Sequence, residues 1–152
     1  MSECTFIASD YPLKEAAPAR DYPFEINLDN GQIYDGDADD NFFLFSFTDV
    51  WEYSSKKNGV YLEWNYTEGR AKQILAYLKD ALQNTFSVEL WHVWLGTSGE
   101  IEDRPVIHRK VISIDELTTR HIREIDHAEI WNTPDKMYPN RPSCYCLEIQ
   151  RG

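Results

Sequence analysis

The chain has little of what exported and membrane-embedded proteins need. No apolar run approaches the roughly 18 residues of a membrane-spanning helix, and no basic segment precedes the short apolar patch near Phe6. The three cysteines, Cys4, Cys144 and Cys146, cannot all pair in disulfides. We therefore expect a protein that neither enters a membrane nor leaves the cell, with a reducing cytoplasm as its location.

Basic residues are also scarce. Lysine and arginine number 15 against 26 acidic residues, which gives a formal net charge of −11. Residues 1–66 hold 13 acidic and 4 basic residues, whereas residues 67–152 hold 13 and 11. An excess of negative charge repels phosphate backbones and anionic lipid, so we expect neither nucleic acid nor a membrane surface as a ligand.

Core-forming residues, by contrast, are plentiful. Hydrophobic residues make up 42% of the 152 positions and aromatic residues 14%, enough for one well-packed core. Alternating or apolar runs predict strands. Thr67 as a cap and the helical spacing after it predict a helix from about Glu68 to Asn84, and Asp115 as a cap predicts a shorter helix that bears Leu117, Ile122 and Ile125. The predicted strands are 4–9, 42–47, 60–66, 86–95, 106–114, 128–131 and 143–149, with a small hairpin at 24–34. This order predicts a single α+β domain, residues 1–152, with a mainly antiparallel sheet.

The strands at 86–95 and 106–114 are separated by "GTSGEIEDRP", which predicts a long antiparallel hairpin. If the hairpin is centred on Glu100, His92 lies opposite His108 on one face, and two imidazoles there could ligate a transition metal. A metal-dependent enzyme is therefore one alternative. A third ligand is missing and no HExxH spacing occurs, so structural histidines are the favoured interpretation, with no catalytic residue and no cofactor predicted.

The stretch "YDGDADDN", residues 34–41, places four carboxylates before an apolar strand. It fails as an EF-hand loop, because Asp40 stands where glycine is needed and Ser46 where a bidentate glutamate is needed. An acidic surface loop is the favoured interpretation. The alternative is a looser cation site formed by Asp35, Asp37, Asp39 and Asn41.

Residues 21–40 contain seven acidic residues and neither lysine nor arginine, so the negative field extends beyond one turn. Such a field can steer a basic protein during association. We therefore predict a partner-binding surface with aromatic anchors after the acidic tract. Its residues are Asp35, Asp37, Asp39, Asp40, Trp51 and Tyr53. Self-assembly through strand edges or tryptophan faces is a further alternative.

Cys144 and Cys146 share a face if residues 143–149 form a strand. Together with Cys4 they could bind a metal, but the spacing lacks the two close pairs of structural zinc sites. Packing as small buried hydrophobic residues is the favoured interpretation.

The stretches "FIASDYPLKE", "LEWNYTEGRA" and "ELWHVWLG" are similar to parts of a family of small uncharacterised bacterial proteins, to which no activity is attached. In size, charge and order of elements, the chain also resembles the immunity proteins of bacterial toxin systems. That resemblance implies a non-enzymatic inhibitor that blocks a basic toxin domain, and it carries no individual binding residue over to this sequence.

Overall fold

A computed structural model describes residues 2–17, 25–26, 28–29, 33–34, 42–95, 106–126 and 143–152. The strands are β1 (Ser2–Ser9), β2 (Glu25–Ile26), β3 (Ile33–Tyr34), β4 (Phe43–Ser46), β5 (Asn58–Glu63), β6 (Ser87–Leu95), β7 (Val106–Ser113) and β8 (Ser143–Gln150). The helices are α1 (Glu68–Ala81) and α2 (Thr119–Asp126), and a 3₁₀ helix spans Thr48–Glu52. The predicted strand at 128–131 lies outside the described residues.

Six strands form one sheet in the order β4-β5-β1-β6-β8-β7, and β2 pairs with β3 as the predicted small hairpin. All neighbours in the large sheet are antiparallel except β7 and β8, which run parallel. The predicted α+β fold with a mainly antiparallel sheet and two α-helices is confirmed for the described part of the chain. None of the helices described is long and apolar enough to cross a membrane.

The predicted hairpin between β6 and β7 is wrong. Strand β8 lies between them, antiparallel to β6 and parallel to β7. A short connection favours direct pairing of two strands that are consecutive in sequence. The apolar side chains on both faces of β6 indicate a central strand, but they do not specify whether β7 or β8 pairs with it. The later strand β8 takes the position between them, and β7 is the last strand on that side of the sheet among the described residues.

Helix α1 begins as the sequence predicts. The Thr67 side chain accepts a hydrogen bond from the Arg70 backbone N–H, which satisfies a donor that the first helical turn leaves without a partner. The apolar stripe of α1 faces the sheet, with Ile74 and Leu78 fully buried. The helix ends at Ala81, three residues before the predicted end.

Helix α2 begins later than the predicted cap at Asp115. The residue before its first turn is Thr118, whose backbone N–H donates to Nδ1 of His121 at 3.0 Å. Asp115 instead lies in the turn that follows β7, where its N–H donates to the Ser113 hydroxyl. The predicted apolar positions are correct: Leu117, Ile122 and Ile125 are buried.

The two faces of the sheet carry different cores. On the face against α1 and α2, the helix-covered face, the core is mainly aliphatic and includes Ile7, Leu44, Val60, Leu90 and Leu147. On the other face, the aromatic face, buried rings and cysteines pack together with Val50 of the 3₁₀ helix. The buried members of that cluster are Phe6, Ala8, Val50, Trp91, Val93, Cys144 and Cys146.

Candidate functional site

Of the acidic tract at residues 34–41, the structure describes only Tyr34. Residues 35–41, and with them Asp35, Asp37, Asp39 and Asp40, lie outside the described residues, so their role in binding stays a prediction. Tyr34, which precedes them, pairs with Glu25 in the small hairpin. The two aromatic residues predicted to extend this surface are both described.

Trp51 lies on the 3₁₀ helix with 71% of its surface exposed. Its neighbours Asp49 and Glu52 are exposed as well, and Thr48–Glu52 contains no basic residue. A large aromatic side chain left in water between two carboxylates loses the free energy that burial would provide. This combination of a rigid ring and negative charge is suited to contact with a basic surface.

The 3₁₀ helix is held firmly against the sheet. Val50, in its centre, is buried on the aromatic face, and the Phe47 N–H donates to the Gly59 carbonyl at 2.8 Å. Gly59 allows this close approach, because a Cβ there would lie 3.0 Å from the Val50 Cβ and 3.2 Å from the Phe47 carbonyl oxygen. Trp51 is therefore presented from a fixed backbone.

Tyr53 differs from Trp51 because it is half-buried. Its ring lies 5.7 Å from the Phe6 ring and 6.4 Å from the Phe47 ring, centroid to centroid. Burial, with a smaller contribution from Glu52, raises the pKa of Tyr53 to about 12. Tyr53 packs the chain after the 3₁₀ helix against the aromatic face, so its geometry supports the position of Trp51.

The predicted histidine pair is not formed. His92 and His108 both pair in register with Tyr145 of β8, one from each side, so a whole strand separates them. Two strand spacings put their backbones about 10 Å apart. The Tyr145 ring stacks on the His108 ring at a centroid distance of 5.2 Å. The two histidines share a face, as predicted, but they do not make a two-imidazole metal site.

A polar network lies at one end of β1 instead. The Thr5 hydroxyl donates to Oδ1 of Asp126 at 3.2 Å and contacts Nδ1 of His92 at 3.2 Å. The Trp64 indole N–H donates to the same Asp126 oxygen at 2.9 Å. Whether Nδ1 of His92 donates to this hydroxyl or accepts from it depends on the tautomer of the imidazole.

This network lines a cavity of about 480 Å³. The strand register explains the cavity: β1 pairs with β6 from Ser2 onwards, but its pairing with β5 begins only at Thr5. Beyond Glu63 the chain leaves the sheet, which opens a space beside the first residues of β1. The lining residues are Cys4, Thr5, Tyr61, Leu62, Glu63, Trp64, His92 and Asp126.

A second polar network is buried on the aromatic face. Glu89, only 1% exposed, accepts hydrogen bonds from the Ser54 hydroxyl, from the Trp91 indole N–H at 3.0 Å and from Arg109 at 2.9 Å. The Arg109 guanidinium also lies 5.8 Å from the centre of a Trp91 ring. A buried carboxylate with three donors is a stable structural element. It ties β6 to β7 and to the chain after the 3₁₀ helix.

The three cysteines do not pair in disulfides. Cys144 and Cys146 are buried on the aromatic face, in agreement with the packing prediction. Burial raises the pKa of Cys4 to about 11 and that of Cys146 further, so both thiols stay protonated at neutral pH. Among the described residues, no group of three or more histidine, cysteine, aspartate or glutamate side chains is placed to hold a metal ion.

Two of these residues were not singled out in the sequence. Asp126 follows an apolar helical pattern as one acid among many, and only the fold brings it to Thr5 and Trp64. Glu89 offered a signal, because it is a charged residue inside the strand "SVELWHVWL". A charge in a central strand is buried unless that face is open to water, so such a residue needs partners from neighbouring elements.

No known protein family, curated protein or solved structure matches this chain. The resemblance to immunity proteins therefore stays a prediction.

Proposed function

We propose that this protein is a non-enzymatic binding module whose acidic surface captures a basic protein partner, in the manner of an immunity-type inhibitor of a toxin. The observation that carries the proposal is Trp51, exposed between Asp49 and Glu52 on a firmly held 3₁₀ helix. A fixed aromatic anchor loses little conformational entropy on binding, and the flanking carboxylates favour a basic contact surface.

The charge distribution supports the same proposal. Positions 1–66, which hold 13 acidic and 4 basic residues, contain both the acidic tract and the 3₁₀ helix that follows it in sequence. Long-range attraction between such a segment and a basic partner raises the association rate and is weakened by salt. The aromatic anchor then acts mainly on the dissociation rate.

The test begins with affinity capture from cells of the native source at low and high salt, with mass spectrometry identifying the bound proteins. Binding kinetics of the purified partner are then measured for Trp51→Ala and for Phe86→Ala. Phe86 is a matched control, because it is 64% exposed but lies just before β6 and far along the chain from the acidic segment. We expect Trp51→Ala to accelerate dissociation about tenfold or more and Phe86→Ala to leave it unchanged.

The electrostatic part is tested separately. Replacing Asp37, Asp39 and Asp40 by Asn should slow association and flatten its salt dependence, whereas the control Asp80→Asn and Glu116→Gln changes in the second half should do neither. Equal association rates for the two charge variants, or equal dissociation rates for the two aromatic variants, would remove this surface as the binding site.

Self-assembly through β7 is the second candidate, because this edge strand exposes Ile107 and Val111 at 50% and 52%. Arg109 and Lys110 lie between them on the same strand. Antiparallel pairing of two copies about the strand centre would bring these cations together, and basic residues commonly protect edges from such pairing. Sedimentation velocity across a hundredfold concentration range tests this candidate, and a constant monomer value excludes it.

A further inference from the structure

The cavity beside β1 has features of a small-molecule site. Its volume of about 480 Å³ falls within the range of roughly 300–1,000 Å³ that ligand pockets occupy. For comparison, the space between Tyr11 and Tyr77 measures about 40 Å³, room for little more than a water molecule. Glu63 is exposed, which places one wall of the cavity at the protein surface.

The charged lining selects the sign of a ligand. Of the lining residues that the structure describes, Glu63 and Asp126 are acidic and none is lysine or arginine. Two carboxylates without a basic neighbour in the described lining attract a cation through their charge. The indole of Trp64 adds aromatic surface, which attracts organic cations through the ring quadrupole.

Asp126 is the more firmly placed of the two carboxylates. It is half-buried, and its Oδ1 is fixed by two donors, Thr5 and Trp64, at the wall of the cavity. A carboxylate held in this way is oriented for a charge-assisted hydrogen bond to a cation in the space that it borders.

We propose that this cavity binds a small organic cation, an alkylammonium or guanidinium group, with Asp126 and Glu63 as its anionic partners and Trp64 as its aromatic wall. The group belongs either to a free small molecule or to a lysine or arginine side chain of another protein. The inference stands apart from the proposed partner surface, because it uses none of the residues at positions 34–53.

The test is a titration of the ¹⁵N-labelled full chain with n-butylammonium, n-butylguanidinium and uncharged 1-butanol, at constant ionic strength set with sodium chloride. The indole N–H signal of Trp64, assigned with Trp64→Phe, reports on the cavity. We expect saturable shifts with the two cations, with a Kd on the order of 1 mM for ligands of this size, and at least about tenfold weaker binding of the alcohol.

Three variants locate the site. Asp126→Asn keeps the shape of the side chain and removes its charge, so cation affinity should fall about tenfold, while alcohol binding should not change. Glu63→Gln should reduce cation affinity about threefold, since this side chain is exposed and screened. Glu116→Gln, an exposed acid after β7, is the control and should have no effect.

The proposal would be overturned if the alcohol and the cations bound equally well, or if no ligand gave a saturable shift. It would also be overturned if cation affinity were unchanged both in Glu63→Gln and in a folded Asp126→Asn. If Asp126→Asn does not fold, the cation affinities of Glu63→Gln and Glu116→Gln are compared instead, and equal affinities would overturn the proposal. A further arm with Nα-acetyl-arginine methylamide separates the two sources: binding at least as tight as that of n-butylguanidinium indicates a protein side chain, and much weaker binding indicates a free small molecule.

Discussion

The two faces of the central sheet solve the problem of burial in different ways. The helix-covered face uses aliphatic side chains under two amphipathic helices, with polar groups collected at the cavity beside β1. The aromatic face uses rings, cysteines and one buried carboxylate, Glu89, under a short 3₁₀ helix. On the aromatic face, the hydrogen bonds that Glu89 accepts supplement the apolar contacts of the described core.

The neighbours Glu89 and Leu90 give the sharpest test, because they point to opposite faces of β6. Glu89→Ala leaves Ser54, Trp91 and Arg109 without their shared acceptor, and we expect the free energy of unfolding to fall by about 3–5 kcal/mol. Leu90→Ala should lower the free energy of unfolding by about 2–5 kcal/mol, the range typical of a buried leucine. Chemical denaturation of both variants measures this.

Conservative variants of the same pair separate the two kinds of stabilisation. Glu89→Gln keeps an acceptor but loses the charge, and we expect a loss of about 1–3 kcal/mol. Leu90→Met conserves volume and should cost under about 1.5 kcal/mol. If Glu89→Ala were as mild as Glu89→Gln, the hydrogen bonds on the aromatic face would contribute little to stability.

Gly59→Ala tests the contact of the 3₁₀ helix with the sheet. The new Cβ would press on Val50 and the Phe47 carbonyl, and we expect a loss of about 1–3 kcal/mol in the free energy of unfolding. Thr48→Ala, an exposed change in the same helix, should stay within about 0.5 kcal/mol. Thermal unfolding of both variants gives the comparison, and equal stability would mean that the cover does not pack tightly.

Thr67→Ala makes the corresponding test at α1. Loss of the hydrogen bond from the Arg70 N–H should lower the free energy of unfolding by about 1 kcal/mol. Thr67→Ser retains the hydroxyl and should recover most of this loss. A full-size effect in Thr67→Ser would show that the threonine methyl group, and not the cap, matters at this position.

The smallest effect is expected at alkaline pH. Burial raises the pKa of Tyr53 on the aromatic face, and of Tyr77 on α1, to about 12 in each case. The unfolded chain releases these protons near pH 10, whereas the folded chain holds them to about pH 12, so the free energy of unfolding falls as pH rises across this interval.

Urea denaturation from pH 8 to 11 tests this sign. Tyr53→Phe should lose stability less steeply with pH than the native chain. Tyr77→Phe should also have a shallower slope, but with a constant loss at every pH, because Tyr77 donates a hydrogen bond to the Lys14 carbonyl at 2.6 Å. An unchanged slope in Tyr53→Phe would show that its phenol ionises freely in the folded state.

The sequence allowed prediction of most of the local structure. Thr67 and the apolar spacing after it predict α1, and the turn signal at 29–31 predicts the β2–β3 pair, because both depend on interactions within a few residues. The order β6-β8-β7 was not predictable in this way. Nothing within β6 or β7 specifies that residues 143–150 pair with both strands.

The candidate sites also differ in how far they depend on local sequence and how far on the tertiary fold. The binding role predicted for Trp51 and Tyr53 stays a prediction, and of the two side chains only Trp51 is exposed. The cavity depends on where β5 stops pairing with β1, which the sequence does not specify. Asp126 and Trp64 are 62 residues apart in sequence, and only the tertiary fold brings them within hydrogen-bonding distance.

The position of β8 has a consequence for how the chain folds during synthesis. Residues 143–150 are translated after β6 and β7, yet they fill the space between those two strands. Until β8 emerges from the ribosome, β6 lacks its partner on one side and β7 has no place in the sheet. Both present open hydrogen-bonding edges at that stage, so the nascent chain should be most exposed to chaperones and to aggregation just before its last described strand appears.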